Sequence, residues 1–187
     1  KKNYNFDIDI YTFHKLSLNI LKSHNIKYTI AKEDLLTDTI EIFFNEIIPA
    51  NQIYQKAIYF ILGKSPNEKE ILNFKRLITT VINLYKSNNY SITYYLSILK
   101  KLKFTFNFKE YIKNKYLILL IFNIHIMYQD ELNKEQSLDF NDMINKTIEV
   151  LDNLSLKKKW KYIIVDEYQD TSLTKFNLIK KIIDICN

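Results

Sequence analysis

The sequence has 187 residues, of which 47% are hydrophobic and 14% aromatic, so the chain can bury a core and is not of the disordered class. The formal net charge of +6 favours an anionic partner such as nucleic acid, although a bias toward AT-rich codons also accounts for many lysines. A single cysteine, Cys186, excludes a disulfide framework and a cysteine-based zinc site, and indicates the reducing cytoplasm.

One glycine and two prolines predict a mostly helical chain, because tight turns depend on glycine. The longest apolar run, residues 116–128, is too short to cross a membrane. Alternation over residues 7–11 predicts a strand, and Thr12 is the predicted N-cap of the next helix. A short extended piece is expected at 26–30, before a helical block.

Helical periodicity runs from about residue 31 to 153. Gly63 is expected to end a helix, and Ser65 with Pro66 to open the next one. His125 lies within an apolar helix and is expected to be a satisfied core histidine. The predicted helices cover residues 32–47 and 51–62, a segment after Ser65, a segment after Ser91, and residues 109–132 and 139–152.

The end of the chain changes character. Residues 161–165 are apolar and β-branched and stop at two acids, as in a strand buried in a parallel sheet, and a closing helix follows. The expected architecture is mainly α, with a helical insertion at 31–153 flanked by α/β segments at 1–30 and 154–187.

The acidic pair after this run carries the strongest chemical signal. Asp166 and Glu167 have the Walker B arrangement of nucleotide hydrolases, in which the first acid holds Mg²⁺ and the second orients and deprotonates the attacking water. The alternative is a strand that simply leaves the core for solvent.

The six residues VDEYQD, 165–170, resemble motif II of UvrD/Rep-like superfamily 1 DNA helicases. The resemblance implies that Asp166 is the magnesium ligand and Glu167 the catalytic base. It also implies that Gln169 senses the γ-phosphate of ATP and couples it to movement. Trp160-Lys161-Tyr162 is similar to the helicase IV-type members, which have proline where this chain has Lys159.

Two further segments match the same family in the right order. Thr12, Phe13 and His14 resemble its TFH segment, which implies that they bind single-stranded DNA. Residues 138–144 (LDFNDMI) resemble an LDFDDLL-like segment, in which we expect Asp139 to be structural, at the positive end of a helix dipole. The alternative for the first segment is a capped helix start with a structural histidine, and the alternative for the second is the start of an amphipathic helix.

The resemblance implies a RecA-like motor domain of the P-loop NTPase type, called 1A, interrupted by a helical subdomain, 1B. The complete enzyme would use ATP and Mg²⁺ to translocate 3′ to 5′ on single-stranded DNA and unwind duplex, mainly through phosphate contacts. The sequence has no GxxxxGK[ST] loop, so no nucleotide-binding residue is predicted here, and the chain alone is expected to be inactive and monomeric.

Three alternatives stay open: a non-catalytic helical module that binds nucleic acid, part of a recombination helicase–nuclease subunit, and a protein-interaction domain with a coincidental motif. Within the insertion, basic residues could contact DNA and tyrosines could stack on bases, although a solvated face and a core role are the alternatives. These candidates are Lys64, Lys69, Lys75, Arg76, Lys100, Lys101, Lys103, Tyr90, Tyr94 and Tyr95.

Overall fold

The computed structural model describes residues 8–102, 107–153, 156 and 159–186, and these are mostly helical, which confirms the predicted mainly α class. A pair of two-residue strands is present in the same ranges. The elements in chain order are α1 (Phe13–Ser23), β1 (Thr29–Ile30), α2 (Leu35–Ile42), a π-helical turn (Phe43–Ile47), α3 (Ile48–Ala50), α4 (Gln52–Leu62), α5 (Glu68–Ser87), α6 (Tyr94–Lys101), α7 (Phe108–Lys134), β2 (Ser137–Leu138), α8 (Phe140–Asn153), a 3₁₀ turn (Tyr168–Asp170) and α9 (Leu173–Cys186).

The chain divides into two compact units. The terminal unit holds the described residues of 1–28 and 140–187, and the middle unit is residues 29–139. The first division lies close to the expected boundary at residue 30. The second lies before α8, a helix that the sequence pattern assigns to the insertion. Helix α8 belongs to the terminal unit because its apolar face packs against α1 and α9.

The terminal unit is built on three helices. Ile20 of α1, Ile144 and Leu151 of α8, and Leu178 and Ile182 of α9 form one core cluster, each at most 4% exposed. Burying an aliphatic side chain of this size contributes about 1.5–3 kcal/mol relative to leaving it in water. These contacts hold the start of α1 and the start of α9 in fixed places, and both carry residues of the candidate site.

The middle unit is built around the long helix α7. Leu120, Ile124 and Leu132 of α7 are fully buried among side chains from α2, α4, α5 and α6. The two strands pair in parallel, with Thr29 opposite Ser137 and Ile30 opposite Leu138. The segment that enters this unit therefore lies beside the segment that leaves it.

A buried polar network lies inside this middle unit. Lys86 Nζ is 2.7 Å from Oδ2 of Asp139, and the Tyr128 hydroxyl donates to the same carboxylate at 2.9 Å. Tyr95 Oη is 3.1 Å from Nδ1 of His125. Burial, then the charge of Lys86, lowers the pKa of His125 to about 4, against an opposing effect of Asp139. His125 is thus a hydrogen-bonded core histidine, as predicted.

Helix ends follow local sequence chemistry. Gly63, at φ +97°, ends α4 as expected. Helix α5 does not open at Ser65 and Pro66 as predicted. Asn67 caps it instead, because Asn67 and Glu70 form a capping box: each side chain accepts the other's backbone N–H at 2.9 Å.

The predicted strands at 7–11 and 161–165 are corrected by the structure. Asp7 lies outside the described residues, and neither 8–11 nor 161–165 forms a strand. Ile10 and Ile164 are 88% and 94% exposed. A β-strand needs a backbone hydrogen-bonded neighbour, and the described residues provide none for these segments.

Candidate functional site

The acidic motif forms a compact exposed turn. The backbone N–H of Glu167 donates to Oδ1 of Asp166 at 2.9 Å, and the amide of Gln169 donates to the Glu167 carboxylate. The 3₁₀ turn begins here, with the N–H of Asp170 donating to the carbonyl of Glu167 at 2.9 Å. The turn thus brings the side chains of two predicted catalytic residues into direct contact, next to the predicted metal ligand.

Glu167 has a left-handed backbone, with φ +46° and ψ +46°. A residue with a Cβ atom pays roughly 1 kcal/mol or more in this region, and such positions are found preferentially at functional sites. The left-handed residue ends the apolar segment abruptly and starts the 3₁₀ turn.

A metal ion at this turn would rely on few protein ligands. No cluster of three or more His, Cys, Asp or Glu side chains suited to a metal occurs in the described residues. Mg²⁺ commonly keeps several waters and takes one or two carboxylates together with substrate phosphates. The exposed carboxylate of Asp166 fits that kind of site and does not fit a protein-only cage.

The predicted DNA-binding triplet lies at the start of α1. Thr12 caps the helix as predicted, with its hydroxyl oxygen accepting the N–H of Lys15 at 3.2 Å. His14 packs on Phe140, the first residue of α8, with ring centroids 4.8 Å apart. The TFH and LDF segments, far apart in the chain, therefore meet within the terminal unit.

Lys175, on the first turn of α9, lies at the same corner of the terminal unit as Phe13 and His14. Its Nζ lies 5.6 Å from the centroid of the Phe13 ring. Burial and then the positive charge of Lys175 lower the pKa of His14, so the imidazole is neutral at physiological pH. Sequence reasoning missed both Lys175 and Phe140 as parts of this site. Lys175 carries no motif signal, and Phe140 belongs to the LDFDDLL-like segment, in which only a helix start was expected.

A cavity of about 840 Å³ in the terminal unit extends from the predicted DNA-binding triplet to Asp166. Its wall includes Thr12, Phe13, His14, Asp166 and Lys175. Glu167 and Gln169 are not among its lining residues. Much of the rest is apolar and comes from the two segments predicted as strands, namely Ile8, Ile10, Ile163, Ile164 and Val165.

The candidates in the middle unit differ in their surroundings. Lys75 is paired with Glu41 at 2.7 Å and lies over the Phe44 ring, so it has a structural role. Tyr95 is 2% exposed and stacks on Tyr85 at 3.9 Å, which makes it a core residue. Lys103 lies outside the described residues. Exposed positions are Lys64, Lys69, Arg76, Tyr90, Lys100 and Lys101, and Tyr94 is half-buried.

Comparison with protein families defines the class of protein. Residues 1–185 match the family described as the UvrD/REP helicase N-terminal domain. Because this match covers nearly the whole sequence, the chain belongs to that family. The resemblance seen in residues 12–14 and 165–170 is thereby confirmed at the level of the family.

Individual relatives carry helicase names. The chain is 29% identical to the ATP-dependent DNA helicase Rep of Buchnera aphidicola subsp. Baizongia pistaciae over an alignment of 184 residues, which covers 92% of the chain and 22% of that protein. It is 38% identical over 68 residues to the ATP-dependent DNA helicase PcrA of Bacillus subtilis, covering 34% of the chain and 9% of that protein. The ATP-dependent DNA helicase PcrA of Staphylococcus aureus strain Mu50 is 33% identical over 66 residues, which cover 33% of this chain and 9% of that protein. No solved structure gave a significant match.

Within the described residues, no helix is long and apolar enough to cross a membrane.

Proposed function

We propose that the chain is the motif II edge and helical insertion of an ATP-dependent 3′–5′ DNA helicase, a soluble cytoplasmic motor that translocates on single-stranded DNA and unwinds duplex. The observation that supports this most directly is the turn at 166–169. There Glu167 and Gln169 are in side-chain contact immediately after Asp166. Family membership supplies the wider context.

In this mechanism the three residues divide the work. Asp166 would hold the Mg²⁺ ion, which supplies positive charge to the β- and γ-phosphates of ATP when it is bound. Glu167 would accept a proton from the attacking water. Gln169 donates to the Glu167 carboxylate, so a change in the position of the amide would change the orientation of the base. That contact would couple the γ-phosphate to movement.

The exposed apolar segments agree with a motor domain that extends beyond these residues. Ile164 is 94% exposed and Ile10 is 88% exposed, which is unfavourable for side chains left in water. Strands from the remainder of a RecA-like sheet would cover both. By the family resemblance, residues 1–30 and 154–187 would belong to subdomain 1A and residues 31–153 to subdomain 1B. Helix α8, at the end of the proposed 1B segment, packs in the terminal unit.

The nucleic-acid half of the site would be Thr12, Phe13 and His14, contacting single-stranded DNA mainly through phosphate and sugar. Exposed basic residues of the middle unit, such as Arg76, Lys100 and Lys101, would contact the duplex. The 187-residue chain would be monomeric. It would not hydrolyse ATP alone, because its sequence has no phosphate-cradling loop.

The decisive test is Glu167→Gln in the complete gene product. We expect DNA-stimulated ATP hydrolysis to fall by about 10²-fold or more, because a general base typically contributes that factor. Asp184→Asn is the matched control, since Asp184 is an exposed acid on α9. Full DNA-stimulated hydrolysis in Glu167→Gln would remove the catalytic assignment and favour a protein-interaction domain in which the motif is coincidental.

A further inference from the structure

We propose that Lys175 is a further DNA-binding residue, whose ammonium group contacts a backbone phosphate of the strand held by Thr12, Phe13 and His14. This inference rests on the proposed function of those three residues. It adds a cation from α9 to a site that sequence motifs place at the start of α1.

The first observation is the position of an unneutralised charge. Lys175 is half-buried, and its Nζ lies 5.6 Å from the Phe13 ring centroid. No carboxylate in the described residues forms an ion pair with it, in contrast to Lys181 on the same helix, which pairs with Asp152 at 2.5 Å. A partly buried ammonium without a protein counter-ion is available to an external anion.

The second observation is the convergence of Lys175 with His14. Both side chains line the same cavity, and Lys175 Nζ lies 5.6 Å from the ring centroid of Phe13, the chain neighbour of His14. The charge of Lys175 also helps, after burial, to lower the pKa of His14. No described residue hydrogen-bonds to a ring nitrogen of His14, while Phe140 packs against the ring. The imidazole is therefore held in place with its nitrogens unused, beside a positive charge.

The chemistry of this corner suits a phosphodiester. Lysine binds phosphate as a point charge, and a neutral imidazole can donate one hydrogen bond to a phosphate oxygen. The Phe13 ring gives a sugar or base an apolar surface. All three residues line the same cavity wall. Asp9 and Asp166 line it too, and Asp9 accepts the indole N–H of Trp160 at 2.7 Å.

The test measures binding of a fluorescent oligothymidylate of about 16 nucleotides to the 187-residue chain by anisotropy, from about 50 to about 200 mM salt. Loss of one phosphate contact should reduce the slope of log affinity against log salt by about 0.7. We expect this reduction in Lys175→Ala, with most of it restored in Lys175→Arg. Lys180→Ala is the matched control, because Lys180 is an exposed lysine of the same helix that does not line the cavity.

The signature of a direct contact is a change at His14. In ¹H–¹⁵N spectra of the imidazole, the pKa of His14 should rise when Lys175 is removed. It should also rise when the oligonucleotide binds the wild-type chain, because a phosphate then offsets the positive charge. A purely structural role for Lys175 would change the thermal midpoint without changing the salt slope.

The other outcomes separate two kinds of failure. If Thr12→Val and His14→Ala weaken binding while Lys175→Ala keeps the wild-type slope, the role of Lys175 is wrong and the proposed DNA site stands. Equal losses in Lys175→Ala and Lys180→Ala would indicate general charge attraction and also overturn it. If the wild-type chain binds no oligonucleotide at the lowest salt, the DNA site and the Lys175 contact both fail. Binding of ATP but not the oligonucleotide at this corner would assign it to free nucleotide.

Discussion

Lys86 and Asp139 form an ion pair at 2.7 Å in which the lysine side chain is 3% exposed and the aspartate 15%. Lys86 lies in the last turn of α5, and Asp139 is the last residue of the middle unit. The pair is further supported by the Tyr128 hydroxyl, which donates to Asp139, and by the Tyr128 ring, whose centroid is 4.8 Å from Nζ. Asp139 therefore ties the end of this unit to its own core.

Removing one member of this pair should destabilise the chain strongly. We expect Lys86→Met and Asp139→Leu each to lower the free energy of unfolding by about 3 kcal/mol, because each leaves a buried charge without its counter-ion. The double variant should recover much of that loss. Urea unfolding monitored by circular dichroism measures all three. The surface pair of Lys146 with Glu149 at 2.8 Å is the control, and Lys146→Met should cost less than about 1 kcal/mol.

Additive losses in the Lys86→Met/Asp139→Leu variant would contradict this account. Additivity would mean that the two charges do not depend on each other for compensation, despite the short distance between them.

The buried imidazole of His125 should make stability depend on pH. Its pKa of about 4 lies below the ordinary value of 6.5, so the unfolded chain binds a proton more readily than the folded one. This contribution is fully present above pH 6.5 and is lost as pH falls from 6.5 toward 4. Its size should be about 2–3 kcal/mol. Urea unfolding of wild type and His125→Gln at several pH values in this window measures it.

The contribution of His125 is the difference between the stability curves of wild type and His125→Gln. His14 also has a lowered pKa and contributes to both curves. Parallel stability curves for wild type and His125→Gln between pH 6.5 and pH 4 would show that the imidazole is protonated without cost in the folded chain.

Glycine at position 167 should separate backbone strain from chemistry. Glu167→Gly removes the Cβ atom from a left-handed residue and should raise the free energy of unfolding by up to about 1 kcal/mol. In the complete gene product the same change should abolish ATP hydrolysis. Gln136→Gly is the matched control, since Gln136 has φ +48° outside the site and should gain stability without loss of activity. A loss of stability in Glu167→Gly would mean that side-chain contacts of Glu167 hold the turn together.

Local chemistry explains what could be predicted from the sequence. Thr12 caps a helix, Gly63 ends one and His125 is a bonded core residue, because short-range backbone and burial rules decide each position. The prediction at Ser65 and Pro66 was wrong: Asn67 caps the helix, and its reciprocal bonds with Glu70 satisfy two backbone donors there.

Contacts between distant segments could not be predicted in the same way. The approach of Lys175 to Phe13 depends on how α9 packs in the terminal unit, and no local pattern encodes it. The apolar run at 161–165 has the composition of a buried strand, yet strand formation depends on neighbouring strands that the described residues do not provide. The roles of Asp166, Glu167 and Gln169 in catalysis stay predictions.

The parallel pairing of Thr29–Ile30 with Ser137–Leu138 has a consequence for the history and engineering of this chain. A segment of more than 100 residues starts and finishes at two backbone positions that are about 5 Å apart across the ladder. Neighbouring ends of this kind let a whole module be gained, lost or exchanged with little disturbance of the host. We therefore expect that residues 29–139 can be replaced as a unit, either by a short loop or by a homologous module.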